Sequence, residues 1–329
     1  LQFQKLLVIN MSERTDRRDA VILAAAISNM NVEFVMGARR ESILEDALPP
    51  GGQTESLKLD KGIKGSWRSD MNALKQVVFQ NLSTVLIFED DVDWDIRLRP
   101  QLQAFALSSR CIHNSSYLNP ISKELHSVSL PAAMMDVQHR DPKISPYGDP
   151  ENWDILWLGY CGAGFPRQPA DTESSIGRHN ILLADPNDPT VPMPGHLRAH
   201  PFGPLDALGE THEPHTRVYH RASGGALCTV ACEVSQRGAR RLLHKFGIKK
   251  WSRVWDVEMG DWCAGDGFAM QPTTALQRKC ITSQPPIFAH HHPFGGESDI
   301  GRLGGECVRN VEMKYVRLST RTNLEGCEE

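Results

Sequence analysis

Thr84-Val85-Leu86-Ile87-Phe88-Glu89-Asp90-Asp91-Val92-Asp93-Trp94-Asp95 decides how this chain is read. Its first five residues form a short apolar run with β-branched side chains and turn chemistry beyond it, which predicts a buried parallel strand. The remaining seven hold five carboxylates, which repel one another strongly unless compensated and so imply a cation. Hard oxygen ligands suit Mg²⁺, Mn²⁺ or Ca²⁺ rather than zinc. Position adds to composition, because ligands of open α/β sheets bind beyond the carboxyl ends of the strands, where this cluster falls. A divalent ion there could hold a diphosphate and neutralise charge on a leaving group.

Other readings of the same residues stay open. The cluster could be a solvated acidic loop or a structural Ca²⁺ loop, although the Gly and terminal Glu of an EF-hand are missing. A phosphohydrolase of the haloacid-dehalogenase type would use Asp91 and Asp93 as its Asp-x-Asp pair, but it lacks the Thr expected two residues after the second Asp.

Working outward, the first hundred residues alternate in an α/β manner. Leu6–Ile9 reads as a strand ending at Asn10, with Ser12 as N-cap of a helix over residues 14–29. Val32–Met36 reads as extended. A second helix is expected near Ser66, with Trp67, Met71, Leu74, Val77 and Val78 as its apolar stripe. On the far side of the acidic cluster, strands are expected at Trp153–Gly159, Ala226–Cys232 and Pro286–Ala289, a helix capped by Ser235, and another over Val254–Cys263. Periodicity fades over 111–152 and 166–216, which read as two loop-rich insertions of the kind that serve as lids or binding walls. The pattern predicts an α/β fold, an open sheet covered by helices on both faces.

The 329 residues suit one large domain or two lobes and should bury roughly three quarters of the unfolded surface. With 36 basic and 40 acidic side chains the net charge is −4, which argues against a general nucleic-acid binder. The apolar run Val21–Ile27 falls far short of the roughly 20 residues a membrane span needs. The chain opens at Leu1 and enters a strand at once, so the sequence is read as trimmed, any signal peptide or anchor having preceded it. Eight cysteines without a CxxC pair suggest buried thiols and a disulfide or two. Asn-x-Ser triplets at Asn10, Asn81 and Asn114 point toward the secretory pathway, in the ER or Golgi lumen or outside the cell.

Several blocks in order resemble glycosyltransferase family 25, which includes bacterial lipopolysaccharide and collagen galactosyltransferases, and especially its fungal members. Val8-Ile9-Asn10-Met11-Ser12-Glu13-Arg14-Thr15-Asp16-Arg17-Arg18 looks like the family's opening strand and Arg-rich helix start. Gly65-Ser66-Trp67-Arg68-Ser69-Asp70 resembles its Gly-x-x-x-Ser-His block, and Glu89-Asp90-Asp91 its Glu-Asp-Asp motif. Trp153–Gly159, Val234–Ala239, Asp256 and Ser298-Asp299-Ile300 are similar to later blocks. The resemblance implies one GT-A type domain over residues 1–329, a Rossmann-like mixed sheet flanked by helices. Residues 1–110 would hold the nucleotide sugar and 153–329 would shape the acceptor site. It also implies a metal-dependent, inverting transfer of a hexose, most often galactose, from a UDP-sugar to a hydroxyl of a glycan, glycoprotein or other acceptor.

Within that frame Asp91 is the expected ligand of Mn²⁺ (or Mg²⁺), with Asp93 second and His291, from the run His290-His291-His292, completing the shell. Glu89 and Asp90 would meet ribose hydroxyls or metal-bound water. Asn10, Arg14, Arg17, Arg18 and Asp70 would lie on the donor side, the arginines as forks for nucleotide or phosphate. Asp256 is the expected base, with Asp261 and Asp266 in reserve. Trp251, Trp255 and Trp262 would form either an apolar wall for a sugar ring or part of the core. Asp70 departs from the family's His, and an anion beside a diphosphate should weaken donor binding unless a metal or arginine compensates. A non-catalytic sugar- or nucleotide-binding protein of the same fold is therefore the alternative.

Overall fold

The computed structural model describes residues 3–51, 61–113, 126–129, 145–166, 181–197, 205–265, 279–291 and 316–323. Lys5–Asn10 forms β1, Thr15–Ile27 α1, Glu33–Met36 β2, Lys61–Phe79 α2 and Thr84–Glu89 β3, the alternation expected of the first hundred residues. There follow β4 (Val92–Trp94), α3 (Leu98–His113), β5 (His126–Ser129), β6 (Ile155–Gly159), β7 (Gly162–Ala163), β8 (Ile181–Asp185), α4 (Ala207–Thr211) and β9 (Arg217–Arg221). The last elements are β10 (Ala226–Leu227), β11 (Ala231–Ser235), α5 (Gln236–Leu242), α6 (Trp255–Ala264), β12 (Cys280–Gln284) and β13 (Phe288–His290).

One mixed sheet runs β2-β1-β3-β11-β6-β12-β9-β8-β5, and β13 pairs with both β4 and β6. β1 lies parallel to β2 and β3, as expected, whereas β11 runs antiparallel to both β3 and β6. Alternation along β3 divides the interior. Leu86 and Phe88 pack with Val21, Ala24, Leu102 and Phe105 of α1 and α3. Val85 and Ile87 pack with Trp67, Met71 and Leu74 of α2, Ala239 of α5 and Met259 of α6. The sheet is therefore covered by helices on both faces, and residues one apart on a strand serve different cores.

Several boundaries differ from expectation. α1 is capped at Arg14 without a side-chain bond, and the Ser12 hydroxyl instead donates to Glu13. α2 is already helical at Lys61, five residues before the expected start, because Gly62 and Gly65 weaken the helical signal there. Gly65 is needed, since a Cβ on it would lie 2.6 Å from the Ala38 carbonyl. The expected strand over 226–232 breaks into β10 and β11 at Cys228, whose left-handed backbone (φ 63°) turns the chain. Helix α3 reaches into the first expected insertion, which also supplies β5, and the second contains β8 and α4. Both β5 and β8 belong to the large sheet.

Two disulfides form, Cys161–Cys228 and Cys263–Cys280, while Cys111 and Cys232 are buried thiols. Cys307 and Cys327 lie outside the described residues. Disulfides persist in oxidising compartments. No helix among the described residues is long and apolar enough to cross a membrane. Asn10 is buried, which closes its glycosylation triplet in the folded chain; Asn81 is exposed, and Asn114 lies outside the described residues.

Candidate metal centre

The acidic turn is assembled by sorting its five carboxylates, and three of them are consumed by structure. Asp90 is buried and accepts from Asn10 Nδ2 and Arg17 Nη1, each at 2.8 Å. Asp93 accepts from Ser319 Oγ at 2.5 Å, Thr320 Oγ1 at 2.9 Å and the Arg321 amide at 3.3 Å. Asp95 holds Arg97 through two guanidinium nitrogens, at 2.8 and 2.7 Å. Arg321 closes the underside of the turn, donating to the carbonyls of Asp90 and Val92. The repulsion that suggested a cation is thus largely met by Arg17, Arg97, Arg321 and hydroxyl donors.

Glu89 and Asp91 are arranged otherwise. Pairing of β13 with β4 sets His290 opposite Val92 and brings its Nε2 to 3.3 Å from Glu89 Oε2 and 3.7 Å from Asp91 Oδ1. Glu89 Oε1 takes the Thr229 hydroxyl at 2.8 Å, and Asp91 Oδ2 lies 3.1 Å from Arg17. Glu89, Asp91 and His290 each offer one donor atom within 4.8 Å of the others, and all three are partly accessible. Two carboxylates and an imidazole suit Mn²⁺ or a similar divalent ion. Burial alone would depress His290, but Asp91 and Glu89 outweigh it and hold its pKa at about 8. In the metal-free protein a proton on this imidazole does part of a cation's work.

The histidine facing the carboxylates is therefore His290, where the sequence reading chose His291. Adjacent residues of a strand face opposite ways, and only the β4–β13 register says which one turns inward. His291 donates its amide to the Asp91 carbonyl at 2.6 Å and lines a cavity of about 450 Å³ with Asp93, Met193, His196 and Arg317. That volume lies in the range of small-molecule sites. His292, Asp266 and the Ser298–Ile300 block lie outside the described residues. Asp93, the expected second ligand, is held by the 319–321 segment instead of joining Asp91, Glu89 and His290.

Of the three arginines, Arg17 reaches the turn. Arg14 forks onto Asp16, and Arg18 lies over the Phe34 ring at 4.3 Å. Arg17 bridges Asp90 and Asp91 rather than standing ready for a phosphate.

The carboxyls expected at the far side of the site divide too. Asp256, near the start of α6, accepts the Cys228 and Val257 amides at 2.8 Å each. Its pKa is raised by burial, with a smaller push from Glu89, against the pull of those amides. Asp70 is raised well above the carboxylate range by burial first, then by Glu89 and Asp256. Asp70, Glu89 and Asp256 therefore share one electrostatic neighbourhood. Asp261 is half exposed and paired with Arg253 at the surface. Trp251, Trp255 and Trp262 are buried in the α2–α5–α6 core, Trp251 stacked on Trp67 at 4.8 Å, so they take the core alternative.

Sequence reasoning passed over the Cys161–Cys228 disulfide, whose Cys161 Sγ lies 3.4 Å from His290 Nδ1, and the clamp Arg321. Both pairings are long-range, and neither residue type carries a local signal for its partner. What these observations define is an α/β protein with a mixed central sheet and a cluster of two carboxylates and a histidine at the end of β3. No family model matches the chain, and no curated protein matches it.

Proposed function

We propose that this protein is a metal-dependent glycosyltransferase of the GT-A kind, akin to family 25, which transfers a hexose from a UDP-sugar to an acceptor hydroxyl. The observation that carries the reading is the convergence of Glu89, Asp91 and His290 at the carboxyl end of a central strand, with Asp256 and Asp70 in the same electrostatic field. Mn²⁺ or Mg²⁺ held by Glu89, Asp91 and His290 would supply neutralising charge to a departing diphosphate. Galactose is the donor sugar the family resemblance favours.

The chain's own groups have separable roles. Asp256 receives the proton of the acceptor hydroxyl; its raised pKa makes it a better base than an ordinary carboxylate, and two backbone amides fix its orientation. Asp70 meets the donor in its protonated form, favoured by burial and by Glu89 and Asp256, so it donates a hydrogen bond where a charged carboxylate would repel. The objection raised by Asp in place of the family's His is thereby eased. Arg17 and Asn10 hold Asp90 and so position the turn, without touching the sugar. The two disulfides are in keeping with work in the secretory lumen or outside the cell, on a glycan or glycoprotein acceptor.

The test is a screen for UDP release from UDP-hexoses, with and without Mn²⁺, on the wild type and on Asp91→Asn. Metal-dependent release that Asp91→Asn abolishes, in a variant that still folds, supports the reading. A chain that binds UDP yet neither transfers nor hydrolyses any donor is the non-catalytic binding protein instead. Absence of both binding and turnover overturns the proposal.

A further inference from the structure

His290 has two ring nitrogens, and they face two different donor sets. Nε2 looks toward the oxygens of Glu89 and Asp91, at 3.3 and 3.7 Å. Nδ1 lies 3.4 Å from Cys161 Sγ, and Cys161, Cys228 and His290 bring their ligand atoms within 4.8 Å of one another. Three elements converge to make this second set. Cys161 follows β6, Cys228 follows β10 at a left-handed turn, and His290 ends β13. None of the three residues is fully buried.

In the oxidised chain the two sulfurs are joined, and a disulfide has no thiolate to offer a metal. We propose that reduction of Cys161–Cys228 unmasks a site for a soft divalent metal, zinc first, made of the two thiolates and His290 Nδ1, with water as fourth ligand. The chemistry balances with a dithiol as reductant. Two electrons break the Sγ–Sγ bond, two thiols form, and the dithiol closes to its own disulfide. Binding of Zn²⁺ then releases the two thiol protons and, from a protonated His290, the Nδ1 proton, and the ion keeps its oxidation state.

The chemistry of the donors separates the two sites: thiolates with imidazole select zinc, while carboxylates with imidazole accept Mn²⁺. One imidazole serves both, so filling the sulfur site fixes the tautomer and orientation of His290 as seen by Glu89 and Asp91. Because the Cys228 amide also donates to Asp256 at 2.8 Å, the same event reaches the carboxylate proposed as the base. The inference stands on the sulfur and imidazole geometry and does not depend on the nucleotide-sugar reading.

The test uses the whole chain, reduced with a dithiol, freed of it and alkylated with iodoacetamide, with or without Zn²⁺. Site-by-site labelling is read by mass spectrometry. Expected is a severalfold slowing of alkylation by zinc at Cys161 and Cys228 together, and none at Cys263 or Cys280. Substituting Co²⁺ should give a sulfur-to-metal charge-transfer band that saturates at one ion per chain in the reduced protein, and no such band in the oxidised protein. His290→Gln should weaken the protection. Equal alkylation of Cys161 and Cys228 with and without zinc, protection that falls on other cysteines instead, or undiminished protection in a folded His290→Gln would each overturn the proposal. The wild-type labelling decides it even where the variant fails to fold.

Discussion

His290 Nε2 lies 3.3 Å from Glu89 Oε2, although the two residues are 201 positions apart in the chain. The contact exists because β13 threads between β4 and β6, and Gly159 leaves it room. A Cβ at Gly159 would stand 2.9 Å from Cβ of Phe288 and 3.0 Å from that of Ala231. A strand pairing made for packing therefore delivers the His290 imidazole to the acidic turn.

If that imidazole is a ligand, His290→Gln should lower Mn²⁺ affinity on the order of 10- to 100-fold, at least the range known for residues that merely support a metal ligand. His291→Gln, at a residue whose backbone amide holds the Asp91 carbonyl, should lower it far less. Isothermal titration of Mn²⁺ into each variant measures both, and equal losses would contradict the assignment.

Asp93 divides stability from binding. Its three donors from residues 319–321 are lost or weakened in Asp93→Ala, which should cost about 2–4 kcal/mol of folding stability in urea denaturation. Mn²⁺ affinity, measured where the variant remains folded, should change little. A variant of normal stability that no longer binds metal would restore Asp93 to the ligand set.

The three neighbouring arginines should behave unequally. Arg17→Gln strips the shared cation from Asp90 and Asp91 and should cost about 3 kcal/mol, since both carboxylates are largely buried and lose their guanidinium partner. Arg18→Gln removes one exposed cation–π contact, about 0.5–1 kcal/mol. Arg14→Gln should change stability by less than about 1 kcal/mol, as surface ion pairs do. Thermal or urea unfolding of the three variants gives the order directly.

Asp70 sets a pH dependence. Its folded pKa is raised above the unfolded value of about 3.9, so the stability linked to its proton is whole below that pH and is lost as pH rises through the folded pKa. Asp70→Asn removes this loss. The melting temperature of the metal-free variant should gain on that of the wild type as pH is raised, while the two converge in acid. Parallel curves would mean that Asp70 ionises as an ordinary surface carboxylate.

Much of the fold was legible because its signals are local. The continuous apolar run Thr84–Phe88 and the stripe Trp67, Met71, Leu74 and Val77 each name their own element, and Ser235 does cap α5, accepting from the Gly238 amide. Helix α3 went unread although its buried residues Leu98, Leu102, Phe105 and Ile112 follow a helical spacing; Pro100 in its first turn resembles a break yet is tolerated there. The acidic turn was legible as a place but not as a set of roles. Sequence shows five carboxylates side by side, while their partners come from α1, the 319–321 segment and β13. Which of them stay available to a ligand is a property of pairing across more than 200 residues in the case of Asp93 and of Glu89.

The most direct measurement is calorimetric titration of UDP into the protein with Mn²⁺, into the protein freed of metal, and into Glu89→Gln and Asp91→Asn. Expected is UDP binding that requires Mn²⁺ in the wild type and is lost in both variants while they remain folded. Binding of UDP that is equally tight without metal, or none under any condition, would contradict a cation held by Glu89, Asp91 and His290 as the grip on a nucleotide diphosphate.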